Sequence, residues 1–199
     1  MKRRAFLRAA TATAAAPLVV PSSVFGAQAP SNRLTLGCIG LGDRGNANLG
    51  AFMSRAQVVA LCDLDRGGER YEAGKQFGLE PMQAKCAKHA KGVALLTDFR
   101  ELLARRDMDA VVISTPDHWH ALAMIAAVQA GADVYVEKPI SADVVEGQAM
   151  LAAARKHKRV VQVNMQRRST PHLIEARDRI IKEGKLGKIG HVEICCYYH

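Results

Sequence analysis

Aromatic residues are scarce in this chain, and its sequence carries no signature of nucleic-acid binding. Phe, Trp and Tyr make up 5% of the 199 residues, and no recognition helix, zinc finger or RNA-binding motif is found. The net charge of +9 falls to +5 without the first 29 residues, which hold four basic and no acidic side chains. So small an excess of basic residues is typical of a solvated surface, and we expect no nucleic-acid partner.

The five cysteines form no pattern typical of a metal site, because their number is odd and their spacings match no zinc motif. Cys38 and Cys62 lie in apolar stretches, where cysteine behaves as a small hydrophobic residue. Cys195 and Cys196 are adjacent in another apolar stretch, and we expect no bond between them. We therefore predict no metal site.

A long hydrophobic run is also missing from the N-terminus. The apolar stretch at residues 9–20 is too short and too rich in Ala and Thr for a stable membrane span. The preceding Arg3-Arg4-x-Phe6-Leu7 resembles a twin-arginine export signal, although Lys2 stands where Ser or Thr is usual. We predict that residues 1–29 are such a signal and that the protein is exported to the periplasm. The alternative is an uncleaved, amphipathic or disordered N-terminus.

A glycine-rich turn is the most informative feature that the sequence does contain. Gly40-Leu41-Gly42-Asp43-Arg44-Gly45 follows an apolar strand pattern at residues 34–39 and precedes a helical pattern at residues 46–53. In a dinucleotide-binding turn, the first glycine permits a tight turn and the second lets the backbone approach the phosphates. The third lets the helix pack closely on the strand. The helix N-terminus then offers free N–H groups to the anion.

An acidic residue stands where a ribose-binding residue is expected. Residues 57–62 read as a second strand that ends at Asp63, 23 residues after Gly40. A carboxylate there can accept hydrogen bonds from the adenosine ribose hydroxyls and would repel a 2′-phosphate. We therefore expect NAD rather than NADP, although Arg66 is close enough to soften the repulsion. The alternative is an ordinary strand–turn–helix in which Asp63 caps the next helix.

Short β-branched runs continue to alternate with helical patterns, which predicts an α/β fold. Further strands are predicted at residues 93–96, 110–114, 133–136 and 160–163. Helices are predicted at residues 66–77, 99–106, 118–130 and 143–157, with a Lys-rich connection and some helix at 79–92. We predict a doubly wound parallel Rossmann sheet of six strands over residues 33–170.

The last segment does not fit that sheet. Residues 171–184 read as one more helix and residues 191–198 as a seventh, apolar strand. An unpartnered apolar strand invites aggregation. We therefore expect residues 171–199 to be a linking helix and the first strand of a truncated α+β second domain, the substrate domain.

Polar residues follow two of the central strands, at the sheet edge where such folds bind ligands. Strand four leads into Ser114-Thr115-Pro116 and His120, and strand five leads into Glu137-Lys138-Pro139. Residues 164–168 follow strand six and are expected to face the same cleft, with Gln166 or Arg167 either as contacts to substrate or cofactor or as solvated residues. Together with the glycine turn, Asp63 and Ala130-Gly131, these motifs make the sequence resemble the Gfo/Idh/MocA oxidoreductases from about Arg33 to its end.

That resemblance implies NAD(P)-dependent chemistry on sugars, polyols and related compounds. It implies that Lys138 is the catalytic or substrate-positioning lysine and that Glu137 and His120 lie near the nicotinamide ribose. Pro139 is expected to follow a cis peptide bond. The candidate catalytic residues are Lys138 and His120. The candidate cofactor-binding residues are Gly40, Gly42, Asp43, Arg44, Gly45, Asp63, Ser114, Thr115, Pro116, His120, Glu137 and Lys138.

We therefore interpret the protein as an oxidoreductase that transfers hydride between NAD(P) and a small carbohydrate-like substrate, and as a homo-oligomer when full length. One alternative is a glycoside-cleaving relative that oxidises a sugar transiently and regenerates its NAD. Another is a cofactor-binding fragment without turnover. A dehydrogenase forms net NADH, whereas the glycoside-cleaving relative does not. Family members bring an Asp/His pair from the second domain, so the truncated chain is expected to be inactive alone.

The export hypothesis makes one prediction. Changing both Arg3 and Arg4 to Lys should leave the protein in the cytoplasm, because the twin-arginine pair is the recognised element of such a signal. Cell fractionation checks this, and undiminished appearance of the variant in the periplasm would remove the twin-arginine interpretation.

Overall fold

The computed structural model describes residues 32–68, 76–90 and 92–195, and the predicted export signal at residues 1–29 lies outside them. Six strands form one sheet in the order β3-β2-β1-β4-β5-β6, and every neighbouring pair is parallel. The strands are β1 Thr35–Ile39, β2 Gln57–Cys62, β3 Ala94–Leu96, β4 Ala110–Ile113, β5 Asp133–Val136 and β6 Val161–Val163. The predicted doubly wound α/β fold is confirmed.

Helices cover both faces of the sheet, which is why its strands read as nearly continuous apolar runs. They are α1 Asp43–Phe52, α2 Leu79–Cys86, α3 Phe99–Leu103, α4 His120–Gln129, α5 Val144–His157 and α6 Pro171–Ala176. Val111 and Ile113 of β4 pack with α3, α4 and α5, whereas Val112 points to the opposite face and packs with α1 and α2. No helix of the described ranges is both long and apolar enough to cross a membrane.

The strand order reverses at β1, which lies between β2 and β4. The connections after β1 and β4 therefore leave the sheet in opposite directions and open a crevice at their carboxyl ends. The glycine turn follows β1 into α1, and residue 114 follows β4. The fold thus places two of the predicted motifs at the sides of one crevice.

The predicted helix at residues 66–77 is wrong where the structure describes it. Gly67 and Gly68 have φ angles of +140° and +148°, which lie outside the helical region, and Gly68 forms an antiparallel bridge with Phe77. Residues 69–75 lie outside the described residues. Consecutive glycines tolerate positive φ, so the chain turns here, and α2 begins only at Leu79.

The predicted seventh strand at residues 191–198 is also wrong over its described part. Residues 191–195 are exposed and have no regular secondary structure, and residues 196–199 lie outside the described ones. A strand needs a hydrogen-bonded neighbour, and no described residue supplies one. The preceding helix is shorter than predicted, because α6 ends at Ala176 and a π-helical turn, Arg177–Ile181, follows.

The start of α5 is capped by side chains in both directions. Asp143 accepts a hydrogen bond from the Glu146 N–H at 2.8 Å, and the Glu146 carboxylate accepts one from the Ala142 N–H at 3.0 Å. Arg155, Lys156 and His157 in the last turn complement the negative end of the helix dipole. The helix following Glu137-Lys138-Pro139 is therefore fixed by its own sequence.

This cap can be tested by stability. Asp143→Ala should lower the free energy of unfolding by about 1 kcal/mol, because the Glu146 N–H loses its acceptor. Asp143→Asn is the matched control, since asparagine caps as well, and it should lose much less. Urea unfolding measures both, and equal losses would show that the charge rather than the cap stabilises α5.

Candidate functional site

The first and third glycines of the turn are required by close backbone contacts. Gly40 has a φ angle of +84°, and a Cβ atom there would lie 2.7 Å from the backbone of Ser114 and Thr115. A Cβ atom on Gly45 would lie 2.1 Å from the Gly40 carbonyl oxygen. Only glycine allows the turn to lie against both β4 and the first turn of α1.

Gly42 is different, because a Cβ atom there would meet nothing within 4 Å. Packing of the chain does not explain a glycine at this position, whereas a ligand that approaches the backbone does. Gly42 is the N-cap of α1, and its helix start has no side-chain cap. The free N–H groups and the positive end of the helix dipole therefore face an open space suited to an anion.

Asp63 ties the glycine turn to the end of β2. Its Oδ2 accepts a hydrogen bond from the Leu41 N–H at 2.6 Å, and its Oδ1 accepts one from the Asp65 N–H at 2.9 Å. A carboxylate has about four acceptor positions, so two remain for a ligand. The predicted contact with a ribose stays a prediction, and the structure adds a role in shaping the turn.

The residues after β4 line the other side of the crevice. The Ser114 N–H donates to the Ile39 carbonyl, and the Ser114 hydroxyl accepts a hydrogen bond from Asn48 Nδ2 at 2.9 Å. The Thr115 hydroxyl oxygen is buried and has no hydrogen-bond partner among the described residues. A buried polar atom without a partner is rare in a folded protein and fits a group that bonds a ligand. Pro116 then leads into a 3₁₀ turn, Asp117–Trp119.

His120 lies beneath the site rather than on its surface. Its ring is 1% exposed, with Nδ1 2.7 Å from the Pro139 carbonyl oxygen and Nε2 2.9 Å from the Thr115 carbonyl oxygen. Carbonyls only accept, so the neutral ring satisfies one of them and the imidazolium satisfies both. This geometry favours a role in holding the loops after β4 and β5 together. The catalytic assignment of His120 stays a prediction.

Glu137 is the centre of a buried hydrogen-bond network. It is 3% exposed, and its Oε1 accepts hydrogen bonds from Asn48 Nδ2 at 2.9 Å and Asn164 Nδ2 at 2.5 Å. Arg44 Nη2 reaches the same oxygen at 3.0 Å, and Oε2 accepts the Lys138 N–H at 3.1 Å. The network joins α1, the end of β5 and the end of β6.

The charge of Glu137 is balanced by these donors. Burial by itself raises the pKa of the Glu137 carboxyl, but the hydrogen bonds from Asn48, Asn164, Arg44 and the Lys138 N–H outweigh it and lower the pKa below its ordinary value. The carboxylate is thus the stable form in the folded chain. The predicted contact of Glu137 with a ribose stays a prediction.

Lys138 is exposed, and its ammonium group makes no hydrogen bond or ion pair to the part of the chain that the structure describes. The expected cis peptide bond between Lys138 and Pro139 is confirmed. Lys138 therefore carries a free cation at the carboxyl end of β5, two strands from the glycine turn.

Sequence reasoning missed two members of this network. The sequence motifs do not include Asn48, and they include Asn164 only as the first residue of the segment 164–168 that is expected to face the cleft. Both are buried polar residues, 6% and 7% exposed. Two features of the sequence could have indicated them. Asn48 is an amide on a helix that packs on the sheet, and Asn164 is an amide immediately after a strand. Buried amides need partners, and here the partner is Glu137.

Comparisons with known proteins agree with this geometry. The Gfo/Idh/MocA family model, described as an oxidoreductase family with an NAD-binding Rossmann fold, matches residues 34–165. Inositol 2-dehydrogenase of Salmonella paratyphi B is 28% identical over 159 residues, which cover 78% of this chain and 43% of that protein. Glycosyl hydrolase family 109 protein 1 of Shewanella sp. strain ANA-3 is 29% identical over 189 residues, which cover 90% of this chain and 38% of that protein.

A solved structure is similar over the same region. The WlbA dehydrogenase from Bordetella pertussis, in complex with NADH and UDP-GlcNAcA, superposes with a TM-score of 0.63 at 26% identity. The match covers 78% of this chain and 43% of that one. This chain spans less than half the length of the curated relatives that it matches.

The lowered pKa of Glu137 predicts a pH dependence of stability. As the pH falls, Glu137 takes up its proton in the unfolded chain before it does so in the folded chain, because its pKa is lower when folded. The stability that the ionised carboxylate contributes is therefore present above the ordinary pKa of glutamate and is lost as the pH falls through the folded pKa. Glu137→Gln should flatten this acid dependence. It should also lower the free energy of unfolding at neutral pH by roughly 1–3 kcal/mol, because the glutamine amide would place an N–H group against the Lys138 N–H.

Urea unfolding over an acid pH series measures this effect. Glu80→Gln is the matched control, since Glu80 is exposed, and it should retain the wild-type slope. An unchanged slope in Glu137→Gln would contradict the assignment of a buried, ionised Glu137.

Proposed function

This chain belongs to the Gfo/Idh/MocA oxidoreductase family, and from that membership we propose that it binds NAD and serves hydride transfer to or from a sugar, polyol or related hydroxyl compound. The observation that carries the proposal is the division of roles among the glycines. Gly40 and Gly45 are required by backbone contacts, whereas Gly42 faces open space at a helix N-terminus. A pyrophosphate would lie there.

The remaining groups of the crevice fit the other parts of NAD. Asp63 has free acceptor positions for ribose hydroxyls, and its negative charge supports NAD over NADP. The unpartnered Thr115 hydroxyl can bond a polar group of the cofactor on the opposite side of the crevice. Arg44, half exposed beside the glycine turn, adds a positive charge near the phosphates.

The chemistry needs a group that acts on the substrate oxygen. When bound, NAD accepts the hydride from a carbinol carbon. The C–H bond breaks with its electron pair, the O–H proton leaves to water or a general base, and a C=O bond forms. Lys138 carries a free ammonium group that can donate a hydrogen bond to that oxygen and stabilise the charge developing on it. The alternative interpretation is that Lys138 is a solvated surface lysine after a strand.

The substrate class rests on the relatives. Inositol dehydrogenases and a dehydrogenase bound to UDP-GlcNAcA among them support a carbohydrate-like substrate. The family 109 glycosyl hydrolase, similar over 90% of this chain, supports the second candidate, a glycoside-cleaving enzyme that regenerates its NAD. We further propose export through the twin-arginine pathway and homo-oligomers in the full-length protein.

We also propose that residues 33–170 are the dinucleotide-binding domain and that residues 171–199 begin a substrate domain. The described residues offer one wall for a substrate, made by the loops after β4, β5 and β6. Holding a carbinol against the cofactor supplies up to about 7–11 kcal/mol of barrier reduction. We therefore expect this 199-residue chain to bind cofactor and to turn over little substrate by itself.

Calorimetric titration tests the proposed cofactor site. The chain should bind NAD and bind NADP more weakly, and Gly42→Ala should abolish NAD binding while the chain stays folded, because the added methyl group would occupy only the space proposed for the phosphates. Gly190→Ala is the matched control, because a Cβ atom there also meets nothing within 4 Å, its φ is not positive either, and it lies after α6, outside the glycine turn. Failure of well-folded wild-type chain to bind NAD would contradict the proposal.

An assay for NADH over a panel of sugars and polyols accompanies the titration. Net NADH that disappears in Lys138→Ala would assign the lysine to a dehydrogenase and overturn the expected inactivity of the chain. Cleavage of a glycoside without net NADH would favour the second candidate.

A further inference from the structure

We propose that Asn48 and Asn164 are positioning residues that hold Lys138 for its role at the substrate oxygen, and that they act through the Glu137 carboxylate. The proposal rests on the proposed function, because that function gives Lys138 its role. Neither asparagine belongs to the glycine turn or to Glu137-Lys138-Pro139.

The two amides bond one oxygen of a buried carboxylate from two different parts of the fold. Asn48 reaches Oε1 of Glu137 from α1 at 2.9 Å, and Asn164 reaches it from the end of β6 at 2.5 Å. All three side chains are more than nine-tenths buried, so water cannot replace either donor at low cost. Asn48 uses Nδ2 for Ser114 as well, which ties the network to the end of β4.

The carboxylate transmits this constraint to the lysine. Both oxygens turn together about the Cγ–Cδ bond, so holding Oε1 also restricts Oε2, which accepts the Lys138 N–H at 3.1 Å. The ammonium group of Lys138 has no partner of its own among the described residues. The direction of its side chain therefore depends on its backbone, and its backbone depends on Glu137.

Arg44 cannot supply the same constraint. Its side chain is 45% exposed, and its ion pair with Glu137 is open to solvent on one side. A half-exposed arginine is held less firmly than a buried amide, because water can replace its contacts at lower cost. The asparagines are neutral and buried, so they hold the carboxylate without cancelling its charge.

The experiment is native-state exchange of the Lys138 amide proton, followed by NMR on the whole 199-residue chain. Asn48→Ala and Asn164→Ala should each accelerate exchange at Lys138 by about tenfold, the effect of losing one hydrogen bond to a charged group. The Val111 amide in the central strand β4 should exchange as in the wild type. Asn46→Ala is the matched control, since Asn46 lies on the same helix but bonds Lys85 instead.

A second variant keeps the proposal testable if the alanine variants fail to fold. Asn164→Asp keeps the size of the side chain but replaces the donated hydrogen bond by a second carboxylate against Glu137, and the two ionised groups repel each other. Lys138 protection should therefore be lost at neutral pH and recovered at acid pH, where the pair shares a proton that restores the donated hydrogen bond. Arg44 is the cation that also faces this pair.

Two outcomes overturn the proposal. One is wild-type exchange at Lys138 in both alanine variants, and the other is equal acceleration at Lys138 and Val111, which would make the asparagines general stabilisers of the fold. Failure of the wild-type chain to bind NAD would overturn the proposed function instead, and it is measured separately by titration.

Discussion

The rest of the crevice depends on the burial of the Glu137 carboxylate. Removing an ionised carboxylate from water costs several kcal/mol unless donors surround it. Those donors come from α1, from the residue after β6 and from the following peptide N–H. Because Arg44 lies in the glycine turn and Asn48 follows it in α1, satisfying this charge also sets how α1, and with it the open face at Gly42, lies against the sheet.

Much of the fold could be predicted from the sequence, because a parallel sheet buried on both faces requires apolar β-branched runs between helices. The bounds of β5, Asp133–Val136, match the prediction, and β3 and β6 are each one residue shorter. The two wrong predictions, the helix at residues 66–77 and the strand at residues 191–198, lie where the local sequence pattern does not determine the structure. Gly67 and Gly68 turn a helical pattern into a loop, and the apolar residues 191–195 find no described strand to pair with.

The site was predictable only where its residues are close in sequence. The glycine turn and Glu137-Lys138-Pro139 are contiguous motifs, whereas the contacts of Glu137 with Asn48 and Asn164 span 89 and 27 residues. Only the strand order brings those amides together. His120 illustrates the same limit, because its position after β4 indicated a site role but not that both its ring nitrogens would face backbone carbonyls.

Glu137 and Lys138 are adjacent in sequence and opposite in environment, and that contrast explains their chemistry. The acid is buried among donors, which leaves it little freedom to bind or to exchange a proton. The lysine is exposed, and its ammonium group has no partner among the described residues, so its charge is available to a ligand. Because Glu137 is held by its hydrogen bonds, the backbone of Lys138 starts from a fixed position, and the ammonium group itself is not used in packing. In the proposed reaction, the carboxylate would therefore act through the position that it gives to Lys138, whether or not it touches the cofactor.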